Sequence, residues 1–300
     1  MKRVSKDNVI YSFSSKHKPA EYVKAGELLL LETEDASGGQ IKSEEDAVEE
    51  LDWSKVDGAT GPVYIEGAER GDTLVVEILD IKTAEKGSIV TIPQSGALKD
   101  MQFKATVKMV SIKNGFVEYD VIRLKTSPLI GTIGVAPEGE DVLSGSSGPH
   151  GGNIDVKDVT SGSRLYFPVF TDGALFAAGD LHAVQADGEL CVSAVEVEGQ
   201  ILLRFNVMKG RRSPWPILET KDYCAYIACG DTLDEAAVRG TEATVKALMK
   251  AYGWSFERAY MFASLCGDIK VNQVVDPKKG VRVAIPRELI SIEDMLTETV

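Results

Sequence analysis

Histidine and cysteine are scarce in this 300-residue chain, which holds three of the first and four of the second. Cys191, Cys224, Cys229 and Cys266 form no C-x-x-C pair; this argues against a zinc knuckle, a redox dithiol or a disulfide scaffold and suits buried free thiols. Long apolar runs are missing too. No stretch approaches the roughly 20 residues a membrane helix needs, and the start, Met1 to Asp7, leads into no signal-like segment. A cytoplasmic protein without a membrane partner is expected. Positive charge is short as well: 33 basic against 46 acidic residues leave a formal charge of -13. Such a field repels phosphate backbones and anionic lipid, so nucleic acid is not an expected partner. P-loop, G-x-G-x-x-G and H-E-x-x-H motifs are all absent.

What remains is a globular composition, 44% hydrophobic, enough for a full-sized core. From Glu27 to about Val207, short Val, Ile and Leu runs bounded by Gly, Pro, Asp and Asn follow the strand-and-turn pattern. Strands are expected at 27–33, 73–82, 88–92, 105–112, 116–121, 130–136, 164–170, 175–182, 191–198 and 201–207, with hairpin turns at Asn114-Gly115 and Asp187-Gly188. The acidic run 43–50 suits a short solvated helix and receives no role. After Cys229 the pattern changes. Asp231 or Thr232 can cap a helix that Gly253 ends, with Val238, Val245, Leu248, Met249 and Tyr252 at helical spacing. Ser255 can cap a second helix, and strands at 270–275 and 281–285 follow, separated by a Lys279-Gly280 turn. Met and aromatic residues here read as core. The expected fold is mainly β, a jelly-roll-like β-sandwich or barrel core over 1–207 with an α+β C-terminal part over 208–300.

Two of the three histidines sit in glycine-framed motifs that also carry carboxylates, His150-Gly151-Gly152-Asn153-Ile154-Asp155 and Gly179-Asp180-Leu181-His182. Imidazole nitrogen and carboxylate oxygen together suit zinc or manganese; the bland alternative is a glycine loop and two solvated strand residues. On a strand, Asp180 and His182 share a face. A two-residue turn at Asp187-Gly188 would put Glu189 on that same face but about 13 Å along the strand from His182, out of direct reach unless a bulge or wider loop intervenes. Glu32 and Glu34, followed by Asp35, form a further acidic cluster at a strand end. The serine-rich stretch 144–148 resembles the loop of amidase-signature hydrolases only superficially, because no matching lysine accompanies it.

In order along the chain, residues 31–40, the segment Gly61-Pro62-Val63-Tyr64-Ile65-Glu66-Gly67-Ala68-Glu69-Arg70-Gly71-Asp72, the His150 motif and the stretch from Gly179 to Glu189 together resemble the acetamidase/formamidase family. Arg70 and Ala186 stand where that pattern has proline and glycine, which touches turn geometry rather than any ligand. The resemblance implies a β-rich, homodimeric or larger, metal-dependent enzyme that hydrolyses short aliphatic amides to carboxylate and ammonia. On that reading Asp35, His150, Asp155, Asp180 and His182 hold one or two divalent ions, zinc before calcium or manganese. Glu32 or Glu189 serves as general base, Asn153 as an oxyanion or amide donor and Gln185 binds substrate. The competing reading is a non-catalytic β-sandwich module with a structural metal.

Overall fold

Alternation builds the core. Along Leu28–Thr33 every second side chain is buried, placing Leu29 and Leu31 inside while their neighbours face outward. The computed structural model describes residues 1–298. A nine-stranded sheet runs from Lys2–Val4 through Leu28–Thr33, Gly199–Met208, Thr73–Thr83, Arg164–Pro168, Ile217–Glu219, Tyr223–Gly230 and Lys279–Pro286 to Asp268–Gln273. An eleven-stranded sheet is built around Phe176–His182, whose neighbours are Leu129–Gly134, Ala59–Glu66 and Glu196–Val197. Both sheets stay open, so the mainly β expectation holds as a sandwich and the barrel option falls.

One buried cluster joins the two sheets, with Leu29, Leu74 and Phe205 from the first against Ile65, Ile130 and Phe176 from the second. Each such side chain contributes about 2 kcal/mol on burial. The nine-stranded sheet continues beyond Val207 through the pairing of Arg164–Tyr166 with Ile217–Glu219. Helix α1, Leu233–Tyr252, starts where Thr232 Oγ1 accepts the Glu235 amide at 3.2 Å and stops at Gly253, whose φ is +62°. Ala236, Gly240, Ala243 and Ala247 form much of its buried face. A Cβ on Gly240 would come within 2.7 Å of Val283, so small residues let the helix sit close on the sheet.

Several local expectations change. Val238, Phe256, Tyr260 and Met261 are exposed, because the alanine-rich faces of α1 and of α2, Phe256–Cys266, do the packing. Lys279-Gly280 is no turn; it pairs with Cys229-Gly230 inside a strand. Residues 43–50 yield only a 3-10 turn at Val48–Glu50. The expected strand 191–198 survives only as Glu196–Val197. No helix among the described residues is long and apolar enough to cross a membrane.

Candidate metal and catalytic site

The strand Phe176–His182 is buried along its whole length and delivers Asp180 and His182 to one end of the eleven-stranded sheet. Its antiparallel partner places Glu196 directly opposite His182. His182 Nε2 lies 3.2 Å from Asp180 Oδ1 and 3.0 Å from Glu196 Oε2. The other Glu196 oxygen is held by the Ala194 amide at 2.8 Å and Ser193 Oγ at 3.1 Å. Asp180 reaches this position with φ at +55°, so its neighbourliness with His182 comes from a local left-handed kink and not from the ordinary pleat.

Gln185 settles the imidazole's orientation. Its Nε2 donates to the Asp155 carbonyl at 3.0 Å, which fixes the amide's direction and turns Oε1 toward His182 Nδ1 at 2.7 Å. An acceptor there requires a proton on Nδ1, leaving Nε2 with a lone pair facing two carboxylates. That arrangement calls for a cation between them, a proton or a metal ion.

Asp155 comes in from the loop after Gly151–Asn153 and is 0% exposed, yet no amide, hydroxyl or basic group donates to either of its oxygens, and its carboxyl faces that of Asp276. Among the described residues two groups offer ligand atoms within 4.8 Å of one another: Asp155, His182 and Glu189, and Asp180, His182 and Glu196. Gly131 keeps the space between them open. A Cβ there would stand 2.7 Å from both Asp155 Oδ1 and Asp180 Oδ2. Two further acids close the site, Asp57 and Asp276; Asn153 Nδ2 donates to Asp276 Oδ2 at 3.0 Å and its Oδ1 accepts from Thr132 Oγ1 at 2.9 Å. Asp57, Asp155, Asp180 and Glu189 all have φ between +44° and +55°. Left-handed non-glycine residues cost roughly 1–3 kcal/mol each and gather at functional sites.

Crowding dominates the electrostatics. Burial, reinforced by Glu189, Asp276 and Asp180, pushes the Asp155 carboxyl well above its ordinary range. Burial does the same to Glu189 and also raises Glu196, in both cases against the opposing pull of His182. It also raises Asp57, with Asp180 and Asp276 adding to it. Asp276 is raised to about 7, mainly by burial. Burial works against a charge on His182, but Glu196 and Asp180 outweigh it and hold the imidazole's pKa well above its usual value. A bound cation would relieve all of these at once.

The expected site residues divide accordingly. Asp155, Asp180 and His182 come together. Glu189 joins them, and the 13 Å separation does not apply, because Asp187-Gly188 is no hairpin: Gly188 pairs in parallel with Gln273, and the wide excursion from Ala183 to Val195 folds back over the strand end. His150 belongs to neither ligand group; its ring packs edge-on against Phe13 at 5.2 Å and its Nε2 is buried without a partner. Asp35 folds back on its own loop, accepting from Ser37 Oγ at 2.6 Å and the Gly39 amide at 3.1 Å. Glu32 is bound by Arg3 and Gln200 beside a separate depression. Gln185, expected to bind substrate, has both ends of its amide engaged by His182 and Asp155. Asp57, Glu196 and Asp276 escaped the sequence reading. Only Glu196 had a usable signal, a register argument from the strand bearing His182.

A cavity of about 110 Å³ opens onto Asp57, Asp180, His182, Glu189, Glu196 and Asp276, with an apolar wall that includes Val90, Ile92 and Val192. A larger depression of about 580 Å³ beside Arg164, Tyr166 and Glu219 contains none of these groups, and its buried carboxylate already accepts the Tyr166 hydroxyl at 2.6 Å. The buried acids and His182 line the smaller one.

The acetamidase/formamidase family model matches residues 12–145 and 142–292. An acetamidase of known structure from Bacillus halodurans is 41% identical and superposes with a TM-score of 0.94, covering 95% of this chain and 97% of that one. An acetamidase structure from Yersinia enterocolitica is 28% identical with a TM-score of 0.92, covering 97% and 93%. A formamidase from Methylophilus methylotrophus is 27% identical over 90% of this chain and 86% of its own length. The non-catalytic module is thereby set aside: the chain belongs to the acetamidase/formamidase family and is an amide-cleaving hydrolase.

Proposed function

We propose that this protein is a metal-dependent amidohydrolase that cleaves short aliphatic amides such as formamide and acetamide to carboxylate and ammonia. One observation carries the metal requirement: Asp155 is fully buried, no amide, hydroxyl or basic group donates to either of its oxygens, and its carboxyl stands instead against that of Asp276, within ligand distance of His182 and Glu189. The residues fit a divalent ion. Either Asp155, His182 and Glu189 or Asp180, His182 and Glu196 would form the set of ligands, since only Nε2 of His182 has a lone pair to give. A neutral imidazole among carboxylates suits zinc first and manganese next, whereas calcium prefers oxygen alone.

When bound, such an ion polarises the amide carbonyl and makes water a stronger acid. The chain supplies the rest. Asp276, anchored by the Asn153 amide, accepts a proton from the attacking water as its oxygen bonds to the carbonyl carbon. Asp276 then returns that proton to the amide nitrogen, which leaves as ammonia when the C–N bond breaks. Asn153 spends one N–H on Asp276, leaving its second to meet the developing oxyanion. Small substrates follow from the cavity's size, since about 110 Å³ is well under the roughly 300 Å³ at which drug-sized sites begin.

The same reading extends to a cytoplasmic homo-oligomer, to which the exposed Phe256, Tyr260, Met261 and Leu265 of α2 would contribute. Ammonia release from formamide and acetamide, measured before and after chelator treatment and again after zinc or manganese is restored, tests the function. Turnover lost on chelation and regained with the ion is the expected result; full turnover in metal-free protein would overturn the metal requirement.

A further inference from the structure

Arg282 is the largest side chain sealed completely inside the protein, 0% exposed, and the amide chemistry makes no use of it. Burying a guanidinium is costly unless its donors are matched. Here each nitrogen of the fork donates a hydrogen bond, and two further carboxylate oxygens lie at ion-pair distance. Nη2 lies 2.8 Å from Asp158 Oδ2 and 3.0 Å from Asp187 Oδ2. Nη1 lies 3.0 Å from Asp187 Oδ1 and donates to Asn272 Oδ1 at 3.0 Å, while Nε donates to the Tyr223 hydroxyl at 3.2 Å.

The partners matter for where they lie in the chain. Asp158 follows Asp155 by three residues, Asp187 precedes Glu189 by two, and Asn272 precedes Asp276 by four. Each therefore belongs to a segment that carries a site carboxylate. The second and third segments also clasp each other, with the Gly188 amide donating to the Asn272 carbonyl at 2.8 Å and the Val274 amide to the Gly188 carbonyl at 3.1 Å. Gln273 Oε1 then accepts the Val275 and Asp276 amides at 2.9 and 3.0 Å, fixing the turn that presents Asp276.

Holding the fold together does not explain this cluster. The strand Lys279–Pro286 is already hydrogen-bonded on both sides, to Tyr223–Gly230 and to Asp268–Gln273. Apolar residues of similar volume commonly replace a buried ionic cluster at no loss of stability. What an apolar side chain cannot do is fix the spacing of three separate segments through a planar fork.

We propose that Arg282 is a positioning residue that sets Asp155, Glu189 and Asp276 at their mutual distances by clamping the segment bearing each; the proposal rests on the metal-dependent reading of the site. Lysine at this position keeps the charge and loses the fork, and asparagine in place of Asp187 keeps the shape and loses the ion pairs with Arg282 and with Lys157.

The test compares Arg282→Lys and Asp187→Asn with Tyr226→Phe, which deletes a buried hydrogen bond to the Met295 carbonyl in the cluster under α1. Amide exchange is followed on metal-free protein, zinc affinity by competition with a chromophoric chelator, and acetamide kinetics on zinc-loaded protein, all well below each melting temperature. Expected for Arg282→Lys and Asp187→Asn are faster exchange at 187–189 and 274–276 with Tyr223–Gly230 still protected, zinc affinity about tenfold or more weaker, and kcat reduced at nearly constant KM. Tyr226→Phe should lose stability and leave zinc affinity unchanged. Wild-type exchange and affinity in both clamp variants would overturn the proposal, and if Arg282→Lys fails to fold, Asp187→Asn decides alone. A wild-type protein that takes up no divalent ion would overturn the metal reading instead, with the exchange measurement still deciding the clamp.

Discussion

Gln185 Oε1 lies 2.7 Å from His182 Nδ1, and this contact determines which imidazole nitrogen faces Asp180 and Glu196. Replacing Gln185 with leucine frees the ring to flip and to protonate at either nitrogen. Divalent-ion affinity and kcat should each fall about tenfold to a hundredfold, with KM changing less. Metal titration beside steady-state kinetics checks this, and unchanged affinity would show that the ring needs no such guide.

Gly131 is a second point of control, because a methyl group there would meet Asp155 and Asp180 at 2.7 Å. Gly131→Ala should remove metal-dependent stabilisation while leaving the rest of the sandwich intact. For the wild type, ion at a hundred times its dissociation constant raises stability by about 2.7 kcal/mol. Thermal melts with and without zinc should show that increment in the wild type and not in the variant.

Asp155→Asn should act with opposite signs in the two states. In metal-free protein it relieves a buried carboxylate crowded by Glu189, Asp276 and Asp180, so the melting temperature should rise. In the presence of zinc it removes a ligand, so the wild type should become the more stable protein. A variant no less stable than the wild type in zinc would contradict the ligand role, and one less stable than the wild type without metal would contradict the crowding.

His150 gives a pH signature of its own. Burial lowers its pKa from 6.5 to about 4, so between those values the unfolded chain binds more protons than the folded one. Its contribution is therefore intact above pH 6.5 and is lost as pH falls toward about 4, by about 3 kcal/mol in total. The crowded carboxylates titrate in both proteins and cancel in a difference measurement. Denaturation of wild type and His150→Gln between pH 7 and 4 should show the wild type losing stability relative to the variant as acid is added.

Substrate size should respond to the apolar wall. Val90→Ala enlarges the cavity by two methyl groups, and one methylene of fit is worth about tenfold or more in specificity. The ratio of kcat/KM for propionamide to that for formamide should rise accordingly; an unchanged ratio would place the acyl group elsewhere.

How far the sequence revealed this site depended on how local each part is. Asp180, His182 and Gln185 lie within a few residues of one another, so the stretch from Gly179 to Glu189 carries them together. Glu189 is not legible because Asp-Gly usually makes a tight hairpin, whereas here Gly188 lies in a long loop and bridges to Gln273. Glu32 reads as a strand-end acid, but its strand pairs with Gly199–Arg204 and turns the carboxylate toward Arg3 and Gln200. Asp57 and Asp276 carry no local motif; each is brought in by contacts between segments far apart in the chain. The sheets were legible from alternation, while α1 and α2 hid their packing faces behind alanines that a search for large apolar residues passes over.

The acids that meet around His182 are spread from Asp57 to Asp276, and that spread makes the site a record of completed folding. No contiguous fragment short of this span contains the constellation, and the pairings that assemble it are the long-range ones that form slowly. Ion uptake during refolding should thus trail the recovery of β-sheet signal and report the moment at which the chain's distant parts first agree on a single structure.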